Sequence, residues 1–95
     1  MVKVNWTFQA LEDIQDIADF HAPTSPQYAS FIVAEILSVE EKLSRFPKIG
    51  RIVPEANIDS IREVIVSNYR VIYAISSNGE INILTVRSSK YPLSL

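Results

Sequence analysis

Three β-forming runs lie close together near the C-terminal end of the chain: Ile61–Val66, 69–76 and 80–88. Ser67-Asn68 joins the first two and Asn78-Gly79 the last two. Asn-Gly tolerates the positive φ of a type I′ turn, so it specifies a tight antiparallel hairpin. A three-stranded antiparallel meander is therefore what the rest of the chain must cover.

The cover is written upstream. Val2, Val4 and Trp6 alternate with Lys3 and Asn5, the mark of a short strand. Thr7 is placed to cap a helix in which Leu11, Ile14, Ile17 and Ala18 recur at spacings of three and four. That reading puts the acidic residues Glu12, Asp13, Asp16 and Asp19 mostly on its wet face. His21-Ala22-Pro23 ends the helix. Ser25-Pro26 then starts another, and Ala29, Ile32, Val33, Ile36, Leu43 and Phe46 give it one long buried stripe up to Pro47 and Gly50. The short connection makes the two helices an antiparallel hairpin. Residues 50–60, with Pro54 and little periodicity, read as a loop. The expected fold is a single α+β domain over residues 1–95, in the order β-α-α-β-β-β, with the helical hairpin packed on a small antiparallel sheet.

Turn chemistry also sets a register. A two-residue Asn78-Gly79 turn pairs Ser77 with Glu80, and counting back places Arg70 opposite Arg87. The Ser67-Asn68 turn likewise pairs Val66 with Tyr69 and Ile65 with Arg70. The period of two then sorts the sheet. Val64, Val66, Tyr69, Val71, Tyr73, Ile75, Leu84 and Val86 form an apolar face, and Glu63, Arg70, Ile72, Thr85 and Arg87 a mixed one. Like charges directly opposed on a sheet repel. Either Glu63 neutralises the arginines internally, or they present themselves to an anion such as phosphate or an acidic partner segment.

Composition removes several function classes. The chain has no cysteine, which excludes disulfides and thiolate metal sites. No run approaches the length of a membrane span and no leader pattern is visible, so the expected location is cytoplasmic. Two glycines in the whole chain rule out a glycine-rich phosphate loop. The helical carboxylates read as a solvated face with no histidine to complete a metal site; neither metal nor cofactor is expected. The net charge of −2 conceals segregation. Residues 11–20 are acidic, while Lys42, Arg45, Lys48, Arg51, Arg62, Arg70, Arg87 and Lys90 follow. The only histidine, His21, is expected at a helix end, away from the sheet. Trp6, Tyr28, Tyr69 and Tyr73 read as packing residues, and Gly50 as a helix C-terminal glycine with Arg51 beside it.

Phe46-Pro47-Lys48-Ile49-Gly50-Arg51, Arg62-Glu63, Tyr69-Arg70-Val71-Ile72-Tyr73 and Val86-Arg87, in this order after a helical hairpin, resemble the RelE/ParE toxin superfamily, which includes plasmid-stabilisation proteins. The resemblance covers nearly the whole chain. It implies a small toxin neutralised by a cognate antitoxin that wraps over it, with Arg51, Arg62, Arg70 and Arg87 as partner-binding residues. It also implies one of two targets. ParE-like members inhibit DNA gyrase without nuclease activity, whereas RelE-like members are endoribonucleases that cut mRNA on the ribosome. The family's histidine and arginines after the last strand are replaced here by Ser88-Ser89-Lys90-Tyr91.

A nuclease needs a base, charge stabilisation and an acid. Arg70 and Arg87 would supply the charge and Lys90 or Tyr91 a proton, although lysine and tyrosine ordinarily titrate well above neutrality. The ParE-like reading, a gyrase inhibitor rather than an enzyme, asks less of these side chains and is preferred. The alternatives are a RelE-like mRNA endoribonuclease and a non-toxic relative.

Overall fold

The computed structural model describes residues 1–93. Strand β1 (Val4–Trp6) leads into helices α1 (Phe8–His21), α2 (Pro26–Leu37) and α3 (Val39–Arg45). Four strands follow: β2 (Arg51–Ile52), β3 (Ile61–Val66), β4 (Tyr69–Ile75) and β5 (Ile81–Ser88). The expected caps are present. The Thr7 hydroxyl accepts from the Ala10 N–H at 3.2 Å, and the Ser25 hydroxyl accepts from the Tyr28 N–H at 3.1 Å.

The five strands form one sheet in the order β1-β5-β4-β3-β2. β3, β4 and β5 are the expected antiparallel meander, but the sheet is mixed, because β1 lies parallel to β5, with Val4 opposite Ile81. The expected long second helix is broken at Ser38, whose hydroxyl donates to the Glu35 carbonyl at 2.7 Å. Such a local bond competes with the helical ladder and bends the chain. The bend brings Val39 and Leu43 into the core, while Phe46 lies beyond α3 and is exposed.

Arg70 does stand opposite Arg87, but by two compensating departures from the simple count. The turn is longer than two residues, so Ile75 pairs with Ile81 and Tyr73 with Ile83. A bulge then inserts Leu84 and restores the expected pairing at Ile72 and Thr85. The bulge moves Leu84 off the helix-covered face, so both Ile83 and Val86 enter the core in its place. These two pack with Val71, Tyr73 and Ile81 against Ala10, Ile14, Ile17, Ile32, Ile36 and Leu43. On α1, Ala10 is buried and Leu11 is exposed, one position away from the expected stripe.

Asp13, expected in solvent, is buried. β1 stops opposite Ile83, so the outer edge of β5 loses its strand partner there. Asp13 reaches in from α1 to accept the Val86 N–H at 3.0 Å and the Thr85 hydroxyl, and Gln9 donates to it at 2.8 Å. A backbone donor that would otherwise be buried without a partner is thereby satisfied.

Gly50 is not a helix cap, because α3 ends five positions earlier. Its N–H donates to the Tyr73 hydroxyl at 3.0 Å, and that hydroxyl donates to the Pro47 carbonyl at 2.7 Å. Burial pushes the Tyr73 phenol above its ordinary pKa. A Cβ on Gly50 would meet the Glu63 carbonyl oxygen at 2.5 Å and the Tyr73 hydroxyl at 2.7 Å, so close approach is what demands glycine. Gly50→Ala is expected to destabilise the chain by about 1–3 kcal/mol, as overpacked cores do. A urea titration at neutral pH measures it.

Candidate functional site

The helices cover one face of the sheet; the other carries the mixed residues and is the candidate site. At its centre is Arg70 on β4, with 5% of its surface exposed. A lone guanidinium cannot be buried cheaply, and two carboxylates meet it. Glu63 from β3 accepts from Nε at 2.6 Å. Glu55, from the β2–β3 loop, accepts from both Nη atoms at 2.9 and 2.8 Å in a fork-to-fork pair. The second oxygen of Glu63 is taken by Arg51 from β2, whose side chain is otherwise exposed.

These contacts set the charge states. The Glu55 pKa falls to about 2, chiefly through its bonds to Arg70 and then through the N–H of Leu93, which donates to it at 2.9 Å. Arg70 is held cationic more firmly than usual, mainly by Glu55. The like-charge opposition expected between Arg70 and Arg87 is thus relieved by internal neutralisation of Arg70. Sequence reasoning found Glu63 but missed Glu55, because a loop residue has no register from which to deduce a partner.

Beside this clasp lies a cleft of about 490 Å³. Val53, Ile61, Ile72 and Leu84 form an apolar floor, Thr85, Arg87 and Ser88 one flank, and Tyr91, Pro92 and Leu93 a strap. The volume is in the range of ordinary ligand pockets. Arg87 is exposed and makes no ion pair among the described residues, unlike Arg70. Lys90 and Tyr91 are exposed on the same C-terminal segment.

The remaining candidates have other positions. Arg62 is mostly buried against the preceding loop, donating to the Gly50 carbonyl at 2.9 Å and to Asp59 at 2.8 Å. The Arg62-Glu63 pair therefore braces the loop on one side and Arg70 on the other. His21, expected away from the sheet, is bonded to it: its Nε2 lies 2.7 Å from the Tyr69 hydroxyl, with the Tyr28 ring edge-on at 4.9 Å. Burial, with Tyr28 adding to it, raises the Tyr69 pKa. Tyr69 belongs to the helix-covered side, where it packs against the core, so His21 is not grouped with the arginines. Trp6 packs partly against the core, and its indole N–H donates to Glu40 of α3 at 2.6 Å. Among the described residues no cluster of histidine and acidic side chains has the geometry of a metal site, and no helix is long and apolar enough to cross a membrane.

Known proteins match this arrangement. A family model described as the ParE toxin of type II toxin–antitoxin system, parDE, covers residues 4–91. Toxin RelE2 of Caulobacter vibrioides is 28% identical over 87 residues, spanning 92% of this chain and 94% of that protein. A putative toxin, Y4kP, of Sinorhizobium fredii is 27% identical over 84 residues, spanning 88% and 84%. Among solved structures, a chain of the chromosomal ParDE TA system from P. aeruginosa has a TM-score of 0.76 at 21% identity, covering 93% of this chain and 96% of that one. A chain of the RelBE2 toxin–antitoxin complex from Mycobacterium tuberculosis has a TM-score of 0.65 at 21% identity, with 92% and 96% covered. At that identity the two structures establish the shared fold.

The clasp and the cleft respond differently to substitution. Arg70→Ala leaves Glu63 buried without its main partner and is expected to cost about 3–5 kcal/mol. Arg87→Ala removes an exposed side chain and should stay within about 0.5 kcal/mol; denaturant midpoints compare the two. Glu55 gives a pH signature. Its folded pKa lies below the ordinary 4.5, so its stabilisation is complete above that value and is lost as pH falls toward 2. Glu55→Gln should flatten the stability profile within that window, as read by thermal melts across the pH range.

Proposed function

This chain belongs to the ParE toxin family of type II toxin–antitoxin systems, and we propose that it acts by gripping DNA gyrase and is neutralised by a cognate antitoxin. The observation that carries the reading is the state of the cations. An endoribonuclease must bring a base, an acid and charge stabilisation to one phosphodiester. Here Arg70 is enclosed by two carboxylates and Arg62 is committed to a loop. The only histidine is engaged with Tyr69 on the helix-covered side. What remains open on the far face is Arg87, with Lys90 and Tyr91 on the segment after it. That set suits binding better than proton transfer.

Recognition of a partner needs only a shaped surface. The far face offers an apolar cleft with a cation on its flank, which fits the apolar and acidic side chains of an antitoxin segment. The cytoplasm, where gyrase works, is the location this reading requires.

A second reading is kept by one feature: Arg87, Lys90 and Tyr91 are all solvent-facing at one end of β5. In that reading the chain cuts mRNA on the ribosome, with Arg87 stabilising the phosphorane and Lys90 or Tyr91 moving the proton.

Induction of the chain alone in bacteria carrying a DNA-damage reporter separates the two. The gyrase reading expects growth arrest with the reporter switched on, and relief when the antitoxin is co-expressed. Arrest with the reporter silent and with codon-phased cuts in translated messages, lost in Arg87→Ala, would establish the nuclease instead.

A further inference from the structure

We infer that residues 89–93 are a displaceable strap that occupies part of the antitoxin's docking cleft. The inference rests on the antitoxin reading above and adds a competitor to it. The strap is pinned at its two ends. The Ser89 N–H donates to the Asn68 carbonyl at 2.7 Å, and the Leu93 N–H donates to Glu55 at 2.9 Å. Between them Tyr91 is 70% exposed, and Leu93 lines the cleft while remaining half-buried. A single hydrogen bond to an exposed loop carboxylate is a weak fastening, and about 490 Å³ of the cleft stays unfilled beside the strap.

The strap also displays how another chain would bind there. It lies as an irregular, apolar segment, Tyr91-Pro92-Leu93, with a side chain at the apolar floor and a backbone N–H on Glu55. An incoming extended segment with a large apolar side chain can repeat both contacts, and an acidic residue near it meets Arg87, which has no carboxylate of its own among the described residues. Glu55 is the exchange point. It stays anionic through its fork with Arg70 and passes its remaining acceptor capacity from Leu93 to the partner's N–H. The occupant is therefore an extended apolar–acidic segment, and the strap holds its place until it arrives.

The test uses a synthetic peptide covering the C-terminal half of the protein encoded by the adjoining small reading frame. Its affinity is measured by calorimetry for the full chain and for a chain ending at Ser89. Freed of the strap, the shortened chain should bind about threefold to tenfold tighter, the worth of one hydrogen bond and a small apolar contact. In the Glu55→Gln background the gain from shortening should shrink, since the acceptor that both segments use is altered. Leu84→Asp, which places a charge on the floor, should abolish binding while circular dichroism stays unchanged. Unchanged or weaker binding by the shortened chain, or full binding by a folded Leu84→Asp variant, overturns the inference and leaves the antitoxin reading standing. Failure of the peptide to bind any form, the full chain included, overturns both.

Discussion

The buried guanidinium of Arg70 is the constraint from which the far face is built. Removing a charge from water is tolerable only when several hydrogen bonds replace the lost hydration. Arg70 meets that demand by drawing on separate parts of the chain: Glu63 from the neighbouring strand and Glu55 from the β2–β3 loop. Each recruit extends the network. Glu63 fixes Arg51 on the edge strand, and Glu55 fixes the backbone at Leu93. One side chain in the middle of the sheet thereby fixes an edge, a loop and the C-terminal strap. A second brace works beside it, where the Tyr73 hydroxyl and Arg62 hold the segment around Gly50 from opposite sides.

This arrangement bears on function through what it makes inaccessible. The arginine that the family resemblance singles out sits inside an ion-pair cluster, and the cation left free is Arg87 on the adjacent strand. The same clasp that withdraws Arg70 from chemistry shapes the cleft wall beside Arg87. A surface of this kind suits recognition, with apolar area supplying affinity and the remaining charge supplying orientation.

Much of the fold could be read from the residues because local signals agreed with one another. Thr7 and Ser25 cap the helices they were expected to cap, and the Ser67-Asn68 turn gives the expected pairing of Ile65 with Arg70. The misreadings share a physical origin in tertiary contacts. Asp13 looked like one more surface carboxylate until the truncated β1 left the Val86 N–H in need of an acceptor. Leu84 looked inward by parity, and a bulge with no sequence signature turned it outward. Ser38 broke a helix whose apolar stripe ran on past it. In the site, Glu63 could be placed by strand register, whereas Glu55, His21 and the strap depend on how loops and helix ends fold back. No periodicity records that.

A supercoiling assay with purified gyrase, relaxed plasmid and this chain, with and without its antitoxin, tests the central claim most directly. The account predicts that the chain alone blocks supercoiling or traps cleaved DNA, that the antitoxin restores activity, and that added RNA stays intact. Undisturbed supercoiling at concentrations that arrest growth, together with cleavage of ribosome-bound message, would contradict it.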